Sequence, residues 1–185
     1  MKSQDSYINE VWHIVIIMGI ILIALFIWQY DIKLYGDIFR FLPLYLGFFL
    51  LYQRQYKRII ILLIGVCIVV GVTFSMKFSF SFLANHYGGG YITIAQRPIN
   101  GKFNGFPSGH TAPAFFALGF VINYYSKKWI FLVFALAILI PFSRIFTLWH
   151  TPLQVIVGAL LGIILGFFIT RWLKNFEFLK DNSKK

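Results

Sequence analysis

Residues 59–76 read IIILLIGVCIVVGVTFSM, eighteen consecutive positions without a charged side chain. A helix of this length covers about 27 Å, close to the roughly 30 Å of hydrocarbon in a bilayer. Arg58 and Lys77 flank the run. The stretch therefore predicts a membrane-spanning helix. Cys67, the single cysteine, lies inside it, which excludes an intrachain disulfide and predicts a small buried packing residue.

The composition of the whole chain agrees with this interpretation. Apolar residues make up 59% of 185 positions, charged residues 12%, and the mean hydropathy is +0.75. These values are typical of an integral membrane protein. The 17 Lys and Arg residues exceed the 6 acidic ones, which in a membrane protein indicates cytoplasmic loops and anionic headgroups. We expect no nucleic-acid partner, and one membrane-embedded domain over residues 1–185.

The other apolar runs predict an all-α bundle of six transmembrane helices. The first run is interpreted as a retained helix and not as a removed signal peptide. The second has only about twelve uncharged residues, so it crosses only if it extends back to Ile38 and Arg40 snorkels toward the headgroups. In the last run, Gly158, Gly162 and Gly166 predict a close helix-packing face. The six predicted spans are residues 11–28, 41–52, 59–76, 111–125, 129–142 and 152–172.

The distribution of positive charge predicts the orientation. With a cytoplasmic amino terminus and six crossings, eleven of the seventeen positive residues fall on the cytoplasmic side, as the positive-inside rule requires. The carboxyl terminus and its basic tail, residues 171–185, are then cytoplasmic as well. Two polar segments share the opposite side, residues 96–111 and residues 144–150. The eleven cytoplasmic residues are Lys2, Arg54, Lys57, Arg58, Lys127, Lys128 and five in the tail.

The first of these segments, residues 96–111, reads QRPINGKFNGFPSGHT and ends a connection of about thirty residues, 77–106. Long connections in compact bundles are often functional. Arg97, Lys102 and Ser108 offer donors to an anion, and a helix that opens near Gly109 would aim backbone N–H groups at it. His110 would move protons there. The segment therefore predicts an anion site.

Three short motifs resemble those of a known family. Arg97-Pro98, Pro107 through His110, and Ser143-Arg144 followed after five residues by His150 are similar to the signature motifs of the type 2 phosphatidic acid phosphatase superfamily. Members are integral-membrane lipid phosphatases and soluble relatives with a shared helical bundle. The likeness covers residues 97–166, within a catalytic half of about 77–170. The residues of the first two motifs look most like those of the bacterial lipid A phosphatase branch.

The resemblance implies a mechanism and a site. His110 would be the general acid, and His150 would attack phosphorus to form a phosphohistidine. No metal or cofactor is implied, and Asp31 and Asp37, the only acids on the non-cytoplasmic side, are remote in sequence from the motifs. The phosphate-binding residues would be Arg97, Ser108, Gly109 and Arg144, with Lys102 as a further candidate.

Two positions depart from the family pattern. Gly90 stands where the family has a lysine, and Lys77 or Lys102 would have to supply that charge. Gln154 stands where the family has an aspartate behind the nucleophile. Its carbonyl can still orient the imidazole of His150, but charge stabilisation would be lost and activity lowered. Gln154 also fits a capping box that begins at Thr151, and the sequence favours neither role.

The sequence thus predicts a lipid phosphatase of a bacterial cytoplasmic (inner) membrane, with its site at the outer face. Lipid A phosphate is the first expected substrate, and undecaprenyl pyrophosphate is the second. Transfer of the phosphoryl group to another lipid stays open. A catalytically silent protein that binds lipid phosphate or acts as a scaffold is the alternative of another class. The sequence does not indicate the oligomeric state.

Overall fold

The computed structural model describes residues 4–176, and within that range the chain is helical and contains no β-strand. The all-α prediction is confirmed. Two short 3₁₀ turns, Gly89–Tyr91 and Thr93–Ala95, lie in the longest connection. The α-helices are α1 (Gln4–Tyr30), α2 (Ile32–Phe39), α3 (Leu42–Tyr52), α4 (Tyr56–Tyr87), α5 (Thr111–Tyr124), α6 (Lys127–Phe146) and α7 (Pro152–Leu173).

Four of the described helices are long and apolar enough to cross a membrane: α1 from Trp12, α4, α6 and α7. Helices α2 and α3 together would make a fifth span, broken by a bend of 47°. Helix α5 is shorter than a usual span, at 14 residues. The described residues thus show a multi-helix membrane protein, and six complete crossings remain a prediction.

Helix α4 is longer than the predicted span of residues 59–76. It runs for 32 residues and includes residues 77–87, which were predicted to be part of the connection. That stretch contains neither glycine nor proline, so nothing interrupts the helix before Gly88. Gly88 has a φ of 86°, a conformation that favours glycine and ends helices. The connection to α5 therefore covers only residues 88–110, and Lys77 belongs to the helix.

The predicted second span also differs from the structure. Residues 31–40, expected to be a charged connection, form helix α2, whose first turn is capped by Asp31 accepting a hydrogen bond from Leu34 N–H at 2.9 Å. The bend falls at Arg40 and Phe41, just before Pro43 in the first turn of α3. Proline has no N–H to continue the hydrogen bonding of a preceding helix. Arg40 turns inward at this bend instead of reaching the headgroups.

Helix α5 lies at the centre of the bundle and packs most extensively against α7. The predicted glycine face makes this contact: Gly158 lies against Ser108, Gly162 against Ala112, and Gly166 against Phe116. A Cβ atom at Gly162 would collide with the backbone of α5, so the two helices approach closely because these glycines lack side chains. The packing prediction is confirmed.

The prediction that Cys67 is a buried packing residue is wrong, because its side chain is exposed on α4. Its neighbours on that helix, Leu63 and Phe74, are exposed as well. An apolar surface of this kind faces lipid in a membrane protein, so an apolar run alone does not indicate which of its residues are buried.

The two ends of the bundle differ in composition. At one end, Arg58 in the first turn of α4 and Lys174 after α7 lie over the ring of Tyr124, at 4.7 and 5.8 Å from its centroid. At the other end, the connection before α5 meets the turn after α6, where Ile99 N–H donates to the Leu148 carbonyl at 2.9 Å. The two segments that carry the motifs, residues 96–111 and 144–150, therefore meet at one end of the bundle. The prediction that both lie on one side of the membrane requires such a meeting.

Candidate active site

A cavity of about 570 Å³ lies at this second end, between α2, α4, the connection 88–110, the start of α5 and the turn between α6 and α7. Two histidines, His110 and His150, and one carboxylate, Asp37, line it. The pocket is thus strongly positive and suited to an anion with several negative charges. Its cationic side chains are Lys33, Arg40, Lys77, Arg97 and Arg144.

His150 is held from two directions. Its backbone N–H donates to the Arg144 carbonyl at 3.2 Å, and its ring Nδ1 lies 2.9 Å from Gln154 Oε1. Because an amide oxygen only accepts, Nδ1 carries the hydrogen and Nε2 keeps a lone pair. Burial, together with smaller effects of the positive charges of Lys77 and Arg97, lowers the pKa of His150 to about 3, although the hydrogen bond to Gln154 opposes this shift. The ring is therefore neutral near pH 7.

Gln154 performs both of the roles that the sequence left open. Its backbone N–H and side chain form the capping box with Thr151 at the start of α7, while Oε1 also orients His150. The amide nitrogen then donates to two carbonyls of the connection, Ile94 and Gln96, both at 2.9 Å. This fully buried side chain links the histidine, the helix start and the segment that leads to Arg97.

His110 immediately precedes α5, and its ring has two side-chain partners at the same nitrogen. Its Nε2 lies 3.0 Å from Asp37 Oδ1 and 3.1 Å from Arg40 NH1. Burial, together with smaller effects of the positive charges of Arg144 and Arg40, lowers the pKa of His110 to about 4, although Asp37 opposes this shift. The inference that Asp37 is remote from the motifs holds in sequence only, because helix α2 brings it into the pocket.

The two motif arginines are fixed by carbonyl and carboxylate oxygens. Arg144 is 2% exposed and donates to Asp37 at 3.1 Å and to the Lys33 carbonyl at 2.8 Å. Arg97 donates to the Asn104 carbonyl at 3.3 Å and lies 5.2 Å from the ring centroid of Trp149. The Nε atoms of both, and of Arg40, are buried and have no hydrogen-bond partner within residues 4–176.

Of the two lysines proposed to replace the family lysine, only Lys77 lies in the pocket. It is 9% exposed and donates to the Asn104 carbonyl at 2.7 Å. Lys102 is exposed and does not line the cavity, so its expected phosphate contact is not supported. The adjacent Gly101, with φ of 68°, turns the backbone at that point, and Lys102 instead accepts the Arg97 N–H at its carbonyl.

Ser108 and Gly109 were both predicted to bind phosphate, and the structure places them differently. The fully buried hydroxyl of Ser108 accepts hydrogen bonds from Thr111 at the start of α5 and does not line the cavity, so its direct phosphate contact is not supported. Gly109 does line the cavity, beside Lys77. The helix that was expected to open near Gly109 begins at Thr111.

Three neighbouring pocket residues were not predicted from the sequence: Lys33 and Asp37 lie on α2, and Arg40 directly follows it. Their spacing of four and three residues places them on one face of a helix. That signal was present, but it becomes informative only if residues 31–40 are predicted to be helical. No group of three or more His, Cys, Asp or Glu residues that could hold a metal ion occurs within the described range.

The fold and the pocket define a helical membrane protein with a cationic site that contains two histidines. The sequence model of the PAP2 superfamily matches residues 59–178, and the chain belongs to this superfamily.

Two curated relatives are similar to the chain. Lipid A 4'-phosphatase of Helicobacter pylori is 35% identical over 158 residues, which cover 82% of this chain and 79% of that protein. Bacitracin transport permease protein BcrC of Bacillus licheniformis is 47% identical over 68 residues, or 36% of this chain and 32% of the relative. No solved structure matches the chain.

Proposed function

We propose that this membrane lipid phosphatase, one membrane-embedded domain over residues 1–185, hydrolyses a phosphorylated headgroup through a phosphohistidine on His150. The observation that carries the proposal is the fixed neutral ring of His150, with Nδ1 on Gln154 and Nε2 free to attack, in a pocket of five cationic side chains. A scaffold protein would not require a buried histidine held in one tautomer.

In the first step, Nε2 of His150 attacks phosphorus and the bond to the leaving oxygen breaks. His110, on the same cavity wall, donates a proton to that oxygen. Water then attacks the phosphohistidine, His110 accepts its proton, and phosphate leaves. Gln154 keeps the nucleophile neutral and oriented, at the cost of the extra stabilisation that a carboxylate would give to the charged intermediate.

The phosphoryl oxygens are held by Arg97, Arg144 and Lys77, with the backbone of Gly109 beside them. Fixed positive groups in a water-poor pocket stabilise the charge that develops on these oxygens in the transition state. We propose on this basis that the reaction requires no metal ion or cofactor. The position of these three side chains in the cavity lining supports this role.

We further propose six crossings of a bacterial cytoplasmic membrane, with both termini in the cytoplasm and the pocket at the outer face. The α2–α3 pair and the short central α5 would complete the six. The distribution of positive charge in the sequence, with eleven of seventeen Lys and Arg residues on the predicted cytoplasmic side, supports this orientation.

Lipid A phosphate is the first candidate substrate, supported by the likeness to the Helicobacter pylori lipid A 4'-phosphatase over most of both chains. A lipid pyrophosphate such as undecaprenyl pyrophosphate is the second, because five cations exceed what one phosphate group needs. Transfer of the phosphoryl group to a lipid acceptor would use the same intermediate.

The test measures the phosphate that the detergent-purified protein releases from lipid A, undecaprenyl pyrophosphate and phosphatidic acid. A metal chelator is present in each assay. We expect release from at least one lipid, its loss in His150→Ala, and an unchanged rate in His86→Ala. His86 is the matched control, since its exposed side chain bonds only to the carbonyl of Phe82 in its own helix. If wild type and His150→Ala release equally little from all three, hydrolysis is refuted and a silent lipid-phosphate binder is favoured.

A further inference from the structure

The two pocket histidines are each held at one ring nitrogen by a side-chain oxygen, and the two oxygens differ in charge. His150 is held by the amide of Gln154 at 2.9 Å, whereas His110 is held by the carboxylate of Asp37 at 3.0 Å. A neutral amide oxygen favours a neutral ring, while a carboxylate favours the imidazolium. We propose that Asp37 is a positioning residue that keeps His110 protonated when phosphate is bound, and so assigns His110 the acid role.

This inference rests on the proposed function and concerns a residue outside the three motifs. Asp37 lies on α2, 73 residues before His110. The carboxylate that the sequence lacks behind the nucleophile is thus present behind the other histidine.

The hydrogen-bond pattern leaves one nitrogen of His110 for the substrate. Nε2 is held by the protein, whereas Nδ1 makes no hydrogen bond to any part of the chain that the structure describes. When His150 forms its N–P bond, the P–O bond breaks with its electron pair on the leaving oxygen. That oxygen takes the Nδ1 proton, and Asp37 keeps the Nε2–H. The ring ends neutral and can accept the proton of the attacking water.

Arg40 opposes Asp37 at the same atom. One nitrogen cannot accept a hydrogen bond from Arg40 NH1, at 3.1 Å, and donate one to Asp37 at the same time. Arg40 favours the neutral ring, as do burial and Arg144, which contribute more to lowering the pKa of His110 to about 4. The other charged or titratable groups around the ring are Lys33 on α2, Lys77 on α4, Arg97 in the connection, Arg144 on α6 and His150.

A bound phosphoryl group changes this balance. Its negative charge offsets the surrounding cations and attracts the guanidinium of Arg40, which lines the cavity. Asp37 is then left as the acceptor for Nε2–H. Phosphate binding and protonation of His110 are therefore coupled, and the acid forms only when there is a leaving group to protonate.

Asp37 also accepts a hydrogen bond from Arg144 NH1 at 3.1 Å. The experiment must therefore distinguish an effect of Asp37 on His110 from a purely structural effect through Arg144. Asp37→Asn retains an oxygen that can accept from Arg144 but removes the negative charge. Asp31→Asn is the matched control, because Asp31 caps the same helix outside the cavity and asparagine caps equally well.

The kinetic test compares two substrates. One is the lipid phosphate that the wild type hydrolyses, whose alkoxide leaving group requires a proton, and the other is p-nitrophenyl phosphate, whose phenolate leaves without one. For Asp37→Asn we expect kcat on the lipid to fall about 10- to 100-fold, within the range that acid catalysis contributes. The alkaline limb of its pH profile should move to lower pH, and p-nitrophenyl phosphate should change little. Asp37→Glu should restore part of the loss. Equal losses on both substrates with an unmoved pH limb would overturn the proposal.

A second measurement does not need turnover. In protein labelled with ¹⁵N-histidine, orthovanadate should raise the pKa of His110 in wild type and much less in Asp37→Asn. An equal rise in both proteins would overturn the role of Asp37. No turnover of any lipid phosphate by wild type would instead refute the proposed function, and the titration would still test Asp37.

Discussion

Replacing Gln154 by glutamate tests whether one amide side chain supports both the fold and the nucleophile. Glutamate has the same length and keeps an oxygen for His150 Nδ1, but it loses the amide donor to the Ile94 and Gln96 carbonyls. Each of these hydrogen bonds contributes about 0.5–1.5 kcal/mol, so the loss of both costs about 1–3 kcal/mol. A carboxylate at this fully buried position adds to the destabilisation. A protonated glutamate would restore only one of these bonds.

The measurement is the thermal unfolding midpoint in detergent, with Gln53→Glu as the control because Gln53 is exposed at the end of α3. We expect a fall of about 4 °C or more for Gln154→Glu and no fall for the control. The carboxylate should also raise the pKa of His150 above about 3, so the acidic limb of the activity profile should move to higher pH. Equal midpoints for the two variants would refute the reasoning.

Three further perturbations have defined outcomes. Lys77→Met should lower kcat/KM for lipid phosphate about 100-fold, whereas Lys102→Met, outside the cavity, should leave it within about twofold. Gly162→Ala should destabilise the protein by about 1–3 kcal/mol in denaturation assays because its Cβ meets α5, while Gly71→Ala, with open space around it, should not. Stability should fall as pH drops from about 6.5 toward 4, since the unfolded chain then binds protons on the two pocket histidines, whose folded pKa values are about 4 and 3. Unfolding midpoints measured against pH will check this, and replacing either histidine by asparagine should reduce the slope.

The sequence predicted those parts of the site that lie in contiguous motifs. Arg97, His110, Arg144 and His150 each stand in a recognisable short pattern, and the structure brings all four to one cavity. Charge asymmetry predicted that both patterns share one side of the membrane. The all-helical fold followed from the lengths of apolar runs. For Gln154, each of two local patterns predicted one role, and the structure shows that the roles are compatible.

The remaining pocket residues depend on information that short patterns do not contain. Asp37 and Arg40 enter the site through the bend between α2 and α3 and through contacts with residues 70 to 107 positions away. Lys77 points inward because of its position around α4, which a uniformly apolar run does not reveal. Lys102 points outward because of the local turn at Gly101. Charged residues beside a span are expected at the headgroups, and only packing shows which of them turn inward.

The long sequence separation between Asp37 and Arg144 has a consequence for biogenesis. At about 5–20 residues per second, a ribosome needs about 5–20 s to add the 107 residues between them. During that time α2 lies at the membrane surface or in the insertion machinery, and Asp37 has not yet paired with Arg144. The pocket can close only after α6 and the start of α7 have been made, so the nascent chain cannot attack the surrounding lipids until assembly is nearly complete.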